Sequence, residues 1–273
     1  ESRAKYLHNF LKYIYQEKDN YDAVFSHMNP IYVVLGGLFW RAWNKKIALW
    51  YTHKSVDLKL RLAEKLSNVI FTASEESFRL KSDKVVVTGH GIDTEKFYPS
   101  EQKSDEFRII NIGRISKVKN QLKLVKIFSK IQKPAVLELV GVPAKDKDEK
   151  YLQEIKDFVS DPGISNKVNF VGSLSQDELV NYYNKANLIV NLSETGSMDK
   201  DVLEACACNI DVLTSNEAYK GILPSENIVE FDDEQIKERL IKKIEHPEQV
   251  DLRSVVEKNH SLPKLIEKII EKL

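Results

Sequence analysis

Short apolar or β-branched runs alternate almost end to end in this chain with longer stretches of helical periodicity. "AVLELVG" (135–141), "KVNFVG" (167–172), "LIVNLS" (188–193) and "DVLTS" (211–215) are of strand length, and each ends in small or polar residues. Between them the pattern predicts helices over about 147–160, 176–186 and 202–208, with a further helix over about 120–132 after "FRIINIG". Strands that alternate with helices at this spacing pair in parallel through right-handed crossovers. The second half therefore reads as a complete Rossmann-like domain of the α/β class. The same rhythm is present earlier in "DAVFSH", "KIALWYTH", "NVIFTAS" and "KVVVTG", which amounts to half such a sheet.

A length of 273 residues suits two domains, and 42% apolar content supplies a core for each. The stretch "GIDTEKFYPSEQKSDEF", with Gly91, Pro99, Ser100 and a charged run to Glu106, has linker composition. The expected division is thus a first domain over 1–98, a linker over 99–106, a second domain over 107–261 and a periodic closing helix over 262–273. Lys plus Arg and Asp plus Glu both number 41, so no net field draws the chain to nucleic acid, and any phosphate site must be local. Cys206 and Cys208 are too few for a disulfide framework and fall inside a predicted helix, which suits a reducing compartment. No apolar run reaches the roughly 18 residues of a membrane span, and no signal peptide is present, so the expected location is cytoplasmic. The chain opens at Glu1 and enters at once an amphipathic pattern carrying Tyr6, Phe10, Leu11 and Ile14, from which a missing upstream segment is expected.

In an open α/β sheet the ligand lies beyond the carboxyl ends of the strands, where loops lead into helix N-termini. The first exit of the second domain is "NIGRISKVKNQ": Gly113 permits a tight turn, and Arg114 and Lys119 carry cations suited to a diphosphate. The alternative is a pair of solvated surface charges. The exits "ELVGVPAKD" and "NFVGSLSQDEL" each place a glycine after a strand, which suits close backbone approach to a flat base or simply a turn. The last exit is "GSMDKDVLEACACN" (196–209). Gly196, Ser197 and Met198 offer amides, Asp199 a carboxylate and Lys200 a cation. Glu204, one turn into the helix, could accept two hydrogen bonds from a ribose diol. The competing reading makes Asp199 a helix cap and Glu204 a first-turn acid that complements the helix dipole.

"GRISKVKNQ", "NFVGSLSQDELVNYYNKANLIVNLSETG" and "DKDVLEACACNIDVL" together resemble the nucleotide-sugar domain of the family-four retaining glycosyltransferases of GT-B architecture. "VTGHGIDTEKF" resembles the interdomain segment of that family, and the resemblance runs from about residue 20 to the C-terminus. It implies an α/β fold of two Rossmann-like domains facing a cleft, the first one incomplete. Arg114 and Lys119 would hold the diphosphate of a donor, UDP- or GDP-linked, with no other cofactor and no metal. Glu204 would match the second Glu of the family's Glu-x7-Glu motif and bind the ribose. Where the first Glu belongs, this chain has Gly196, and Glu194 lies two residues too early. Asp199 is then the candidate for recognising sugar hydroxyls.

The implied reaction moves a hexosyl group from a nucleotide diphosphate to an acceptor hydroxyl with retention, the leaving diphosphate helping to deprotonate the acceptor. Positive charge from Arg114 and Lys119 and the amides of residues 196–199 would stabilise that diphosphate. "WYTHKSVD" resembles the acceptor-domain strand that closes in a His near the donor sugar, which singles out His53; a structural hydrogen bond is the plainer role for such a His. Ser74 reads as a helix cap, and His90 and Asp93 as hinge residues. Tyr32, Phe39, Trp40 and Trp43 form an aromatic stretch that is either core or a peripheral contact with a membrane or a lipid-linked acceptor; a glycan is the other acceptor class. "LGG" at 35–37 lies in the wrong place for the family's glycine-rich loop. If the first strands belong to another chain, the reading becomes a non-catalytic nucleotide-sugar-binding subunit whose partner completes the N-terminal sheet.

Overall fold

The structure, a computed structural model, describes residues 2–100, 106–194, 197–247 and 251–273. The chain divides into two compact units, one of Glu1–His90 with Pro263–Leu273 and the other of Gly91–Leu262. The division lies upstream of the 99–106 stretch whose composition suggested a linker, and the closing helix from residue 263 groups with the first unit.

The first unit comprises α1 (Arg3–Gln16), β1 (Ala23–His27), α2 (Pro30–Ala42), β2 (Lys46–Trp50), α3 (Leu58–Leu66), β3 (Val69–Thr72) and β4 (Val85–Val87). The strands form a parallel sheet in the order β1-β2-β3-β4. Ile47, Leu49, Ile70 and Phe71 on the inner strands are fully buried, which is why those runs carry no polar alternation. The "LGG" at 35–37 falls inside α2. A Cβ at Gly36 would stand 2.6 Å from the Trp40 ring, and one at Gly37 would stand 3.0 Å from Leu66. The glycines cost helix propensity, but they let Trp40 fold against its own helix and let α3 approach. Trp40 Nε1 donates to the Tyr21 hydroxyl at 3.0 Å, so this ring belongs to the core, whereas Leu38 and Phe39 are exposed. Ser74 caps a turn and not a helix: its Oγ accepts from the Ser77 amide at 3.2 Å.

The second unit contains β5 (Arg108–Ile112), α4 (Gln121–Phe128), β6 (Val136–Val140), α5 (Asp146–Val159), β7 (Val168–Gly172), α6 (Gln176–Lys185), β8 (Leu188–Asn191), α7 (Lys200–Ala207), β9 (Asp211–Thr214), α8 (Asp233–Glu245) and α9 (Arg253–Asn259). The last helix, α10, covers Leu262–Lys272. The parallel sheet has the order β7-β6-β5-β8-β9 and a separate core on each face. Phe128, Tyr151 and Ile155 pack on one face; Tyr183, Leu203 and Cys206 pack on the other. A capping box of Ser175 and Glu178 starts α6. In α8, Lys243 Nζ reaches both carboxylate oxygens of Asp211 at 2.8 and 2.7 Å, a buried ion pair that ties the helix to the edge strand. Both cysteines are free and buried, and burial pushes the Cys208 thiol up to about 12.

From β5 the chain proceeds outward through α4, β6, α5 and β7; from β8 it proceeds the other way through α7 to β9. The direction reverses between β5 and β8, and connecting loops on opposite sides open a crevice there at the strands' carboxyl ends.

Candidate functional site

Backbone geometry at the strand exits sets the floor of this crevice. Gly113, directly after β5, has φ +139, and Gly141, after β6, has φ +140, values that only glycine adopts without strain. A Cβ on Gly141 would lie 2.0 Å from the Gly113 carbonyl oxygen, so the two exits meet backbone to backbone. The Gly113 amide donates to the Val140 carbonyl at 2.9 Å, and the Gly141 amide donates to the Gly172 carbonyl at 2.7 Å. The three glycines of the sequence motifs thus link the exits of β5, β6 and β7.

The loop after Gly113 is held by two amide side chains. Buried Gln121 donates through Nε2 to the Arg114 carbonyl at 3.1 Å and accepts from the Ser116 amide at 3.3 Å. Asn120, in the left-handed region at φ 56, donates through Nδ2 to the Leu192 carbonyl and to Glu194 Oε2, each at 2.9 Å. The Glu194 amide closes the link by donating to the Val118 carbonyl at 3.2 Å. The β5 and β8 exits are therefore one hydrogen-bonded assembly.

Lys119 emerges from a single 3-10 turn at Lys117–Lys119 and lies over Gly113, where a Cβ would only touch it at 3.7 Å and the backbone at φ +139 is what calls for glycine. Its ammonium is 2.8 Å from Asp199 Oδ1. Asp199 occupies the N-cap position of α7 but makes no capping bond; its other oxygen accepts from Asn191 Nδ2 at 3.1 Å. The same amide nitrogen donates to Asp201 Oδ2 at 3.0 Å, so Asn191 bridges two carboxylates behind one lysine. Burial, and next the Asp199 charge, push Asp201 up to about 7, with Lys119 opposing. The segment before α7 is pinned from β9's side, since Asn216 Nδ2 donates to the Ser197 carbonyl at 2.8 Å and the Tyr219 hydroxyl donates to the Asp199 carbonyl. Glu204 lies one turn into α7 and accepts from the fully buried Tyr183 hydroxyl at 3.0 Å. Burial raises its carboxyl, while the Tyr183 bond and the Lys200 and Lys96 charges pull the other way.

The structure brings together Gly113, Lys119 and Asp199 of the residues expected from sequence. Arg114 is exposed and borders a separate basin, Lys200 is exposed, and the Met198 side chain is buried in the core. Gly196 lies outside the described residues. His53 belongs to the first unit, exposed just beyond β2, where its Nδ1 accepts from the Ser55 amide at 3.1 Å. Asn191, Asp201, Tyr183, Asn216 and Tyr219 did not stand out in the sequence reading. Asn191 carried the plainest signal, a polar residue inside the apolar run "LIVN". Among the described residues no helix is long and apolar enough to cross a membrane.

The model of one protein family, glycosyl transferases group 1, matches residues 93–259. No curated protein matches the chain. Among solved structures, the chain superposes on HepE from Anabaena in complex with UDP with a TM-score of 0.84 at 14% identity, covering 96% of this chain and 80% of that one. A glycosyltransferase from Rickettsia africae gives 0.81 at 17% identity, with 99% and 81% covered. Sucrose-phosphate synthase from Thermosynechococcus elongatus gives 0.77 at 17% identity, with 99% and 79% covered. At these identities the three share the GT-B type fold with this chain.

Proposed function

Because the chain belongs to the glycosyl transferases group 1 family, we propose that its β5/β8 crevice binds a nucleoside diphosphate sugar, with Lys119 as the cation on the diphosphate. One observation carries the reading: an ammonium held in place over a side-chain-free glycine, at the point where the sheet reverses direction. An oxygen of a diphosphate can replace Asp199 Oδ1 on that ammonium without moving it, and the α7 N-terminus adds its amides. The family resemblance makes Arg114 a second cation on the diphosphate, but its side chain borders the separate basin, so we assign the diphosphate to Lys119 alone. Glu204 is assigned the ribose hydroxyls, since the Tyr183 bond fixes one carboxylate oxygen and leaves the other available. Asp199, once released from Lys119, is placed to accept from a sugar hydroxyl, with the amides of Ser197 and Met198 beside it.

We assign a hexosyl transfer with retention, in which charge on the departing diphosphate is met by Lys119 and these amides. His53 is assigned to the acceptor side. UDP is the first base to test, since HepE was solved with UDP and with UDP-glucose. Two buried free thiols support a cytoplasmic location. Calorimetric titration with UDP, GDP and UDP-glucose tests the proposal. We expect saturable binding of one base, weakened about 10- to 100-fold in Lys119→Met and in Glu204→Ala, the size of one lost charged or bidentate contact. Equal affinity in Lys119→Met and the parent chain would overturn the assignment.

A further inference from the structure

On the α4/α5 side of the second unit, next to the crevice described above, lies a concavity of about 340 Å³. Its rim is formed by the β5–α4 loop and the start of α5, and it carries five cations: Arg114, Lys117, Lys145, Lys147 and Lys150. Two carboxylates, Asp148 and Glu154, also line it, which leaves a net of three positive charges on a chain whose overall balance is zero. Elsewhere in the same unit some lysines are matched to acids, Lys96 to Asp177, Lys123 to Asp233, Lys133 to Glu245, Lys237 to Glu234 and Lys243 to Asp211, and others such as Lys130, Lys167 and Lys185 have no such match among the described residues; the basin differs in gathering five cations around one hollow. None of the five rim cations has an ion pair or hydrogen-bond partner through its side chain among the described residues.

Like charges gathered around one hollow repel, and each would gain by reaching outward to solvent or to a neighbouring acid. Glu149 and Asp146 are close by in sequence, on the first turn of α5, yet they pair with none of the five. The hollow is also at the lower end of the size range for small-ligand sites, with room for one or two phosphate groups on a small carrier. Phosphate oxygens accept from several ammonium groups at once, and Arg114 adds a planar fork suited to two oxygens.

We propose that this basin is a second anion site, distinct from the Lys119 crevice, which takes a phosphate-bearing group as a phosphomonoester or pyrophosphate. The group is either free in solution or the headgroup of an acidic lipid; both present the same oxygens. Arg114 faces the basin and stands at the start of the β5–α4 loop, so occupancy of the basin and the position of that loop are linked. The site rests on lining and charge, and it stands whether or not the crevice binds a nucleotide.

The test uses the whole chain, inorganic pyrophosphate, and vesicles of phosphatidylcholine with or without phosphatidic acid, at fixed ionic strength. Two variants are compared with the parent: the triple substitution K145Q/K147Q/K150Q, on exposed positions, and Lys119→Met. Thermal melting checks that each is folded. We expect saturable pyrophosphate binding, or binding to the acidic vesicles alone, that survives in Lys119→Met and weakens at least about tenfold in the triple variant. Binding of free pyrophosphate identifies a soluble ligand, and binding confined to vesicles identifies a lipid headgroup. Loss in Lys119→Met with retention in the triple variant would overturn the proposal by placing the anion in the crevice. Non-saturating binding, equal binding by all three proteins, or no binding to either probe would overturn it as well.

Discussion

Replacing Asp201 by Asn should stabilise the protein by an amount that grows as the pH rises from 5 to 8. In the unfolded chain this carboxyl ionises near 3.8; in the folded state burial and the adjacent Asp199 charge move it up to about 7. Between those values the folded chain holds more of the proton than the unfolded chain does, so stability falls as the pH rises. The contribution is fully present below the unfolded value, and above about 7 it has been lost and stays lost. Three pKa units at about 1.36 kcal/mol each set a ceiling of about 4 kcal/mol on the total, of which somewhat more than half, about 2 to 3 kcal/mol, falls between pH 5 and 8. The side chain is only partly enclosed, and screening by the remaining solvent brings the expected value toward about 2 kcal/mol. Asparagine keeps the shape and still accepts from Asn191 Nδ2, so the substitution removes the charge and little else. Urea unfolding of both proteins at constant ionic strength, at pH 5, 6, 7 and 8, reads the difference directly. Groups elsewhere that favour ionisation in the fold, Glu178 among them, act equally in both proteins and cancel. A difference that stays flat across this range to within about 0.5 kcal/mol would refute the reasoning, because an exposed or well-paired Asp201 ionises alike in both states.

Gly141→Ala should cost upwards of about 3 kcal/mol in the same unfolding assay, since its Cβ would meet the Gly113 carbonyl at 2.0 Å from a backbone at φ +140 and neither strand exit can retreat without breaking the sheet. Lys243→Met should destabilise by about 3 to 5 kcal/mol by leaving Asp211 buried without its counter-ion, and adding Asp211→Asn should recover much of that loss, a coupling that a double-mutant cycle measures.

From β5 to β9 the second unit was legible because its strands, the edge strand β7 excepted, are buried on both faces and its helices are separated by glycine and polar punctuation, so period and length placed those elements; α8 and α9 were not foreseen. Among the elements placed, the α4 helix is the exception. The predicted span of 120–132 is longer than Gln121–Phe128, because Ser129 ends the helix and Ile131 turns back into the core. Gly113 and Lys119 were legible as a strand exit followed by a cation. What the sequence could not convey was the partnering. Asp199 and Lys119 are 80 positions apart in the chain, and whether Asp199 capped its own helix or turned to a lysine depended on the register of β5 against β8. Asn191 decides that outcome by holding the Asp199 carboxylate from behind. Arg114 and Lys119 looked equivalent on paper, five residues apart on one loop, yet the 3-10 turn between them sends their side chains to different hollows. In the first unit, "LGG" could be excluded as a phosphate loop from sequence, but its actual use as packing space for Trp40 needed the helix to be seen.

The proton held on Asp201 also bears on how an anion would enter the crevice under the proposed function. Lys119 alone there would be an open cation; paired with Asp199 it is neutralised, and a second ionised carboxylate would make the site net negative and repel a diphosphate. Asn191 holds Asp199 and Asp201 on the same amide nitrogen, close enough that the charge of one resists ionisation of the other. The price of keeping both acids beside the lysine is therefore lowered by a proton on Asp201, which leaves the crevice balanced rather than negative below about pH 7. If the crevice takes a diphosphate as proposed, the ligand would have only Asp199 to displace from Lys119, and its own charge would further favour the proton on Asp201. Asp199 meanwhile fixes the ammonium over Gly113 before any ligand is present, so the lysine's rotamer entropy is spent in folding and not in binding.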